Sequence, residues 1–81
     1  LDNQSKLIIK NFISDYEKLS SLNKETLEVI TKSLIEKYKT NFKGVGQPLR
    51  IGLTGSRFGP GLYDVILSLD KNEVIKRLSK I

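Results

Sequence analysis

Residues 5–38 read SKLIIKNFISDYEKLSSLNKETLEVITKSLIEKY, and this stretch decides the fold class. Its apolar residues Ile8, Ile9, Phe12, Ile13, Tyr16 and Leu19 recur at spacings of three and four. That period lays them on one stripe of an α-helix rather than on alternate faces of a strand. Ser5 precedes the stripe and is expected to cap the helix. A second run, Leu27, Ile30, Leu34, Ile35 and Tyr38, repeats the spacing behind Asn23, whose side chain suits an N-cap. Glu25 and Glu28 lie in or near its first turn and Lys37 and Lys39 in its last, the charge order that a helix dipole favours. Only residues 20–23 separate the two runs, so the helices are expected to pack antiparallel.

The second half is more broken. Gly44, Gly46 and Pro48 interrupt the pattern. Proline is tolerated in a first helical turn, so residues 46–48 are expected to open a short helix ending near Thr54, with Gly55 as a left-handed stop. Residues 49–53 also admit a short strand, because a brief apolar run is ambiguous by periodicity. Residues 56–59 read as a loop. Gly59-Pro60 reads as another helix start, with Pro60 in the first helical position and Leu62, Val65, Ile66 and Leu69 buried after it. A turn at residues 70–72 leads to a last helix carrying Val74, Ile75 and Leu78. The expectation is an all-α fold, a small bundle of about five helices forming a single domain over residues 1–81.

Composition narrows the chemistry. The 81 residues hold no Cys and no His. They therefore offer no disulfide, no thiolate metal site, no Cys–His or Ser–His nucleophile and no imidazole proton shuttle. The net charge is +5, and it is uneven. Residues 1–40 carry seven lysines against six acids, whereas residues 41–81 carry seven cations (Lys43, Arg50, Arg57, Lys71, Lys76, Arg77 and Lys80) against Asp64, Asp70 and Glu73. The basic excess favours a polyanionic partner for the second half, RNA before lipid, beside the plainer reading of a soluble basic surface. The longest apolar run is far short of a membrane span, so no membrane partner is expected. A start at Leu1 rather than Met suggests a piece of a longer chain.

From about Lys43 to Leu78 the chain carries an ordered set of motifs. Pro48-Leu49-Arg50-Ile51-Gly52-Leu53-Thr54-Gly55 is followed by Ser56-Arg57-Phe58, then Gly59-Pro60-Gly61-Leu62, and the series closes with Ile75-Lys76-Arg77-Leu78. In order and spacing this resembles the C-terminal signature of bacterial glutamyl-tRNA synthetases, class I aminoacyl-tRNA synthetases. One departure is Leu69-Asp70-Lys71, where the family usually has Leu-Gly-Lys. The resemblance implies a parent enzyme that joins glutamate to its tRNA using ATP and magnesium, acting in the cytoplasm as a monomer. The family's catalytic signatures, a His-containing motif and a Lys-rich loop, belong to an N-terminal catalytic domain and are not in this chain. Arg77-Leu78-Ser79-Lys80-Ile81 superficially resembles that loop but reads as the basic end of the last helix. The piece is thus expected to bind and not to catalyse. It needs no cofactor of its own, and its partners are the anticodon arm of tRNA(Glu) and the catalytic domain of the same chain.

Carried over by position, the resemblance points to Arg50, Gly59, Pro60 and Leu62 as readers of splayed anticodon bases. Their chemistry suits that role. Arg50 offers a planar fork of donors for a phosphate or a base edge. A helix starting at Gly59-Pro60 leaves the amides of Gly61 and Leu62 free for an acceptor oxygen, and Leu62 can offer an apolar face. Arg57, in the loop, is placed to meet phosphate, and Phe58 and Tyr63 are aromatic candidates for stacking. Each also has a plainer reading, with the prolines as helix openers, Leu62 and the aromatics as packing, and Arg50 as a solvated surface residue. A free-standing helical nucleic-acid-binding module and a helical protein-docking module remain alternatives.

Overall fold

A computed structural model of the chain describes residues 2–56 and 59–81. Five helices follow in order: α1 (Asn3–Glu17), α2 (Lys24–Lys37), α3 (Phe42–Thr54), α4 (Leu62–Ser68) and α5 (Lys71–Ser79). No strand occurs among the described residues, and residues 49–53 are helical. The all-α, five-helix expectation holds.

The start of α1 lies three residues earlier than Ser5 predicts. Asp2 is the N-cap, and its carboxylate accepts the Ser5 amide at 2.8 Å. An aspartate both satisfies a free amide and suits the positive end of the helix, so it outcompetes the serine. The stripe behaves as expected, with Ile8, Ile9, Phe12 and Tyr16 all buried. Leu19 falls beyond the helix end but still packs partly against the core.

Asn23 caps α2 as its sequence predicts. Its side chain accepts the Thr26 amide at 2.9 Å while the Thr26 hydroxyl accepts the Asn23 amide at 3.1 Å, a reciprocal capping box. At the other end the Thr40 amide donates to the Ile35 carbonyl (3.0 Å) and the Lys39 amide to the Glu36 carbonyl (3.3 Å). This is a Schellman stop, in which a left-handed residue usually filled by glycine lets the chain fold back on its last turn. Here that residue is Lys39, with φ of 50°. Lys39 is therefore outside the helix rather than in its last turn. The antiparallel pairing of α1 and α2 is held at one end by Lys37 Nζ on Asn11 Oδ1 (3.0 Å), by Asn11 Nδ2 on the Tyr38 hydroxyl, and by Gln4 Nε2 on the Tyr38 carbonyl (3.5 Å).

Helix α3 corrects the sequence reading most. It begins at Phe42, not at residues 46–48, with the Asn41 side chain accepting the Gly44 amide at 2.8 Å. Pro48 sits inside the helix, where it forgoes one backbone hydrogen bond. The reason is tertiary. Helix α3 packs against every one of the other four helices, and its small residues allow that approach. A Cβ at Gly46 would press on the Phe42 ring at 3.2 Å, and one at Gly52 would lie 2.6 Å from Ile81 Cδ1 and 2.9 Å from Leu78 Cδ2. Val45, Leu49 and Leu53, at successive turns, are buried at the centre of the bundle. Gly55 closes the helix in the left-handed region (φ 75°), donating to the Ile51 carbonyl at 2.8 Å, as its position predicts.

Helix α4 starts later than expected. Gly61 is its N-cap position and Leu62 its first residue, so Pro60 lies in the preceding bend rather than at the first helical position. Gly59, with φ of 137°, is in a conformation no helix contains. Helix α5 follows after Asp70 and buries Val74 and Leu78. Lys71 ties it to α1, donating to the carbonyls of Glu17 (3.1 Å) and Leu19 (3.4 Å).

Candidate nucleic-acid interface

Three pieces of chain meet beside α3. Phe42, Gly46 and Arg50 recur at every fourth residue and so line one face of that helix. Across from them run residues 59–61 and the start of α4. Arg50 joins the two, its Nη1 donating to the Pro60 carbonyl. Gly59 lies against the same guanidinium, since a Cβ there would sit 4.0 Å from Arg50 Nη1. The structure therefore brings Arg50, Gly59 and Pro60 together, with Gly59, Pro60 and Gly61 all exposed and Arg50 half-buried.

The backbone explains why Gly occupies position 59. Its φ of 137° belongs to a region that residues with a side chain enter only under strain. A residue with a side chain at this position could not take this loop conformation freely.

Leu62 is buried, as its helical spacing predicts, and does not present the apolar face that the resemblance implies. It is 3% exposed and belongs to the core, with its Cδ2 closing over Gly46. Its side chain fixes where α4 meets α3 and presents no face to a partner. The neighbouring Tyr63 takes the outward position instead. It is half-buried and meets Phe42 edge-on, ring centroids 6.0 Å apart at 83°. Phe42 is 48% exposed. The two rings thus form an aromatic rim next to the Arg50 loop. Phe42 was missed by the sequence reading. The signal for it is the Asn41 cap, which makes Phe42 the first residue of a helix whose inner positions begin only at Val45.

The free amides of α4 belong to a seven-residue helix whose first turn already holds an acid. Asp64 Oδ2 lies 3.3 Å from where a Gly61 Cβ would be, and Asp64 also pairs with Lys24 at 3.4 Å. That end of the helix is supplied with negative charge from within, which weakens the expectation that the Gly61 and Leu62 amides take an acceptor oxygen. Arg57 and Phe58 lie outside the described residues.

Several cations of the second half hold the fold. Lys71 binds the Glu17 carbonyl at the end of α1 and the Leu19 carbonyl just beyond it, with its Nζ 5.7 Å from the Tyr16 ring centroid. Arg77 donates through Nε to Glu73 Oε2 (2.8 Å) and through Nη1 to the Leu53 carbonyl (2.9 Å), so it serves the last turn of α3 from α5. The Arg77 guanidinium holds the Glu73 carboxyl below the usual carboxylate range. Lys43, Lys76 and Lys80 remain exposed. The basic surface is real but smaller than composition suggests.

No group of three or more Asp, Glu, His or Cys that could hold a metal occurs among the described residues, and none of their helices is long and apolar enough to cross a membrane.

Comparison with known proteins places this geometry. The anticodon binding domain family matches residues 1–81. The chain belongs to that family. Its relatives include the glutamate–tRNA ligase of Pelagibacter ubique (strain HTCC1062), 62% identical over 78 residues, which cover 96% of this chain and 17% of the relative. Glutamate–tRNA ligase 1 of Syntrophus aciditrophicus (strain SB) is 42% identical over 62 residues, covering 76% of this chain and 13% of the relative. The glutamate–tRNA ligase of Buchnera aphidicola subsp. Baizongia pistaciae (strain Bp) is 35% identical over 80 residues, 99% of this chain and 17% of the relative. The chain thus spans between 13% and 17% of the length of these curated relatives.

Proposed function

We propose that the chain reads the anticodon arm of tRNA(Glu) as part of a cytoplasmic, monomeric glutamate–tRNA ligase. The observation that carries this reading is the meeting of Arg50 with residues 59–61 in a chain that matches the anticodon binding domain family over its whole length. Single-stranded bases are read by stacking and by hydrogen bonds to their edges. Arg50 supplies the donor fork, and the exposed backbone of residues 59–61 supplies further polar contact. Phe42 and Tyr63 supply an apolar rim on which a base can stack, and Leu62 holds the loop in place from below. Arg57, two residues before Gly59 in the sequence, would add positive charge for phosphate. The chain itself is non-catalytic. The resemblance assigns ATP and magnesium to the catalytic domain of the parent enzyme, whose signatures these 81 residues do not carry.

The test is a titration of the isotope-labelled chain with an anticodon stem-loop of tRNA(Glu), followed residue by residue by NMR at fixed ionic strength, since phosphate contacts are salt-dependent. Shifts should concentrate at Phe42, Arg50, Gly59, Gly61 and Tyr63. Shifts confined to α1 and α2, or no saturable change, would overturn the assignment.

A further inference from the structure

An open cleft of about 660 Å³ lies between the first turns of α1 and the end of α5, apart from the Arg50 loop. Its floor is apolar. Leu7, turned away from the buried stripe of α1, is 51% exposed, and Ile81, across the cleft, is 40% exposed, with Leu78 behind it. Its rim carries Lys6 and Lys10, one turn apart on α1, and neither enters an ion pair among the described residues. Asn3, the first helical residue, also lines it, so chain continuing upstream of Leu1 would leave from the edge of this cleft.

We propose that this cleft is an intramolecular docking seat for the part of the parent ligase that precedes Leu1, a protein surface presenting apolar side chains to Leu7 and Ile81 and carboxylates to Lys6 and Lys10. The inference rests on the functional reading above. Three observations select this occupant. The relatives are about six times as long as the chain, so most of the parent lies outside it. A surface tethered at the rim of the cleft meets it at high effective concentration, which lets a modest patch hold. The floor separates protein from RNA: a single exposed Leu is ordinary, but Leu7 and Ile81 facing each other across a concavity form a patch that a polyanion would leave wet and an apolar-acidic surface would cover. Cations at the rim with an apolar centre is also the usual anatomy of an interface between domains.

The experiment uses the full-length enzyme. Zero-length carbodiimide coupling, read by peptide mass spectrometry, should join Lys6 or Lys10 to carboxylates located before Leu1. In the same enzyme, Leu7→Asp should speed amide exchange in the first turns of α1 by roughly tenfold or more, as local opening becomes easier. Val29→Asp, at a position 66% exposed on α2, should leave that exchange unchanged. Links between two copies, links confined within residues 1–81, or protection of Lys6 and Lys10 by tRNA alone would overturn the proposal. Charging of tRNA with glutamate by the same preparation separates the two readings. Intact charging without the upstream links defeats the docking seat alone. Absence of glutamate charging defeats the functional reading, and the docking seat with it.

Discussion

Replacing Tyr16 by Phe should make this domain more stable. Tyr16 is fully buried, stacked on Phe12 with centroids 5.5 Å apart and planes 16° from parallel. Its hydroxyl has no hydrogen-bond partner among the described residues. Thr31, also buried, shows the ordinary solution, with its hydroxyl donating to the Leu27 carbonyl at 2.7 Å. Leaving a buried hydroxyl unpaired costs about 1–3 kcal/mol. Removing the oxygen opens a void of roughly 10–15 Å³, which at about 24 cal/mol per Å³ costs about 0.3 kcal/mol. The ring contacts with Phe12 and the Lys71 ammonium survive the change. A net gain of about 1 kcal/mol corresponds to a rise of about 4–8 °C in Tm for a domain of this size. Thermal and urea unfolding followed by circular dichroism would measure it. A second readout comes from alkaline pH. Burial raises the Tyr16 pKa above its ordinary 10.0, so the unfolded phenol ionises first. The contribution of the neutral phenol is therefore complete below that value and is lost as pH rises through the higher folded value. The Phe variant should lack this alkaline loss. A variant about 1 kcal/mol less stable, with the alkaline limb unchanged, would refute the reasoning and show that the hydroxyl is satisfied.

The two left-handed helix stops give opposite expectations for one geometry. Lys39→Gly (φ 50°) should stabilise by about 0.5–1 kcal/mol, while Gly55→Ala (φ 75°, with nothing within 4 Å of a Cβ) should destabilise by about 1 kcal/mol; urea midpoints that move the same way in both would contradict the backbone argument. The Glu73 carboxyl is held low by Arg77 and that of Asp2 by the Ser5 amide, so their stabilisation is present above their unfolded values of 4.5 and 3.8 and is lost as pH falls through the folded ones. Unfolding curves between pH 6 and about 2 should show this acid limb, shallower in Glu73→Gln. In the full-length enzyme, Arg50→Ala should cost about 1–3 kcal/mol in discrimination between wild-type and anticodon-altered tRNA(Glu). Arg50→Lys should recover little of it, because an ammonium keeps the charge and loses the fork; equal charging ratios for all three enzymes would remove Arg50 from the site.

The first two helices were legible because their stripes are regular and Asn23 is an unambiguous cap. Helix α3 was not. Gly44, Gly46 and Pro48 read locally as breakers, yet the helix runs through all three. Packing against four neighbours needs a narrow helix, and burial of Val45, Leu49 and Leu53 outweighs the propensity lost at those positions. That error hid Phe42, which became visible only as the first residue of α3. At the site, Arg50 stood out through resemblance alone, since nothing in its own spacing distinguishes it from a solvated arginine. The start of α4 slipped by two residues. The apolar spacing was unaffected by the slip: Leu62 and Ile66 are buried as read, while Tyr63, one residue and about 100° further on, turns to the rim.

The contact between Arg50 and the Pro60 carbonyl bears on how such a site would discriminate. It commits one donor of a guanidinium that has five, and it tethers that guanidinium to the loop. A reader held in place loses less conformational freedom on binding than a free side chain, so more of its contact appears as preference between bases. The same contact ties the position of Arg50 to how the end of α3 and the loop are held. Arg50 stays in register with Pro60 only while the end of α3 is held, and that end is held from α5 by Arg77 on the Leu53 carbonyl and within α3 by the Thr54 hydroxyl on the Arg50 carbonyl at 2.9 Å. The loop keeps its side of the contact only while Gly59 takes a backbone angle closed to other residues. Discrimination at this site would then be a property of how α3 is packed as much as of the side chain that does the reading, and substitutions at Gly59 or Arg77 should weaken it without removing a single donor from Arg50.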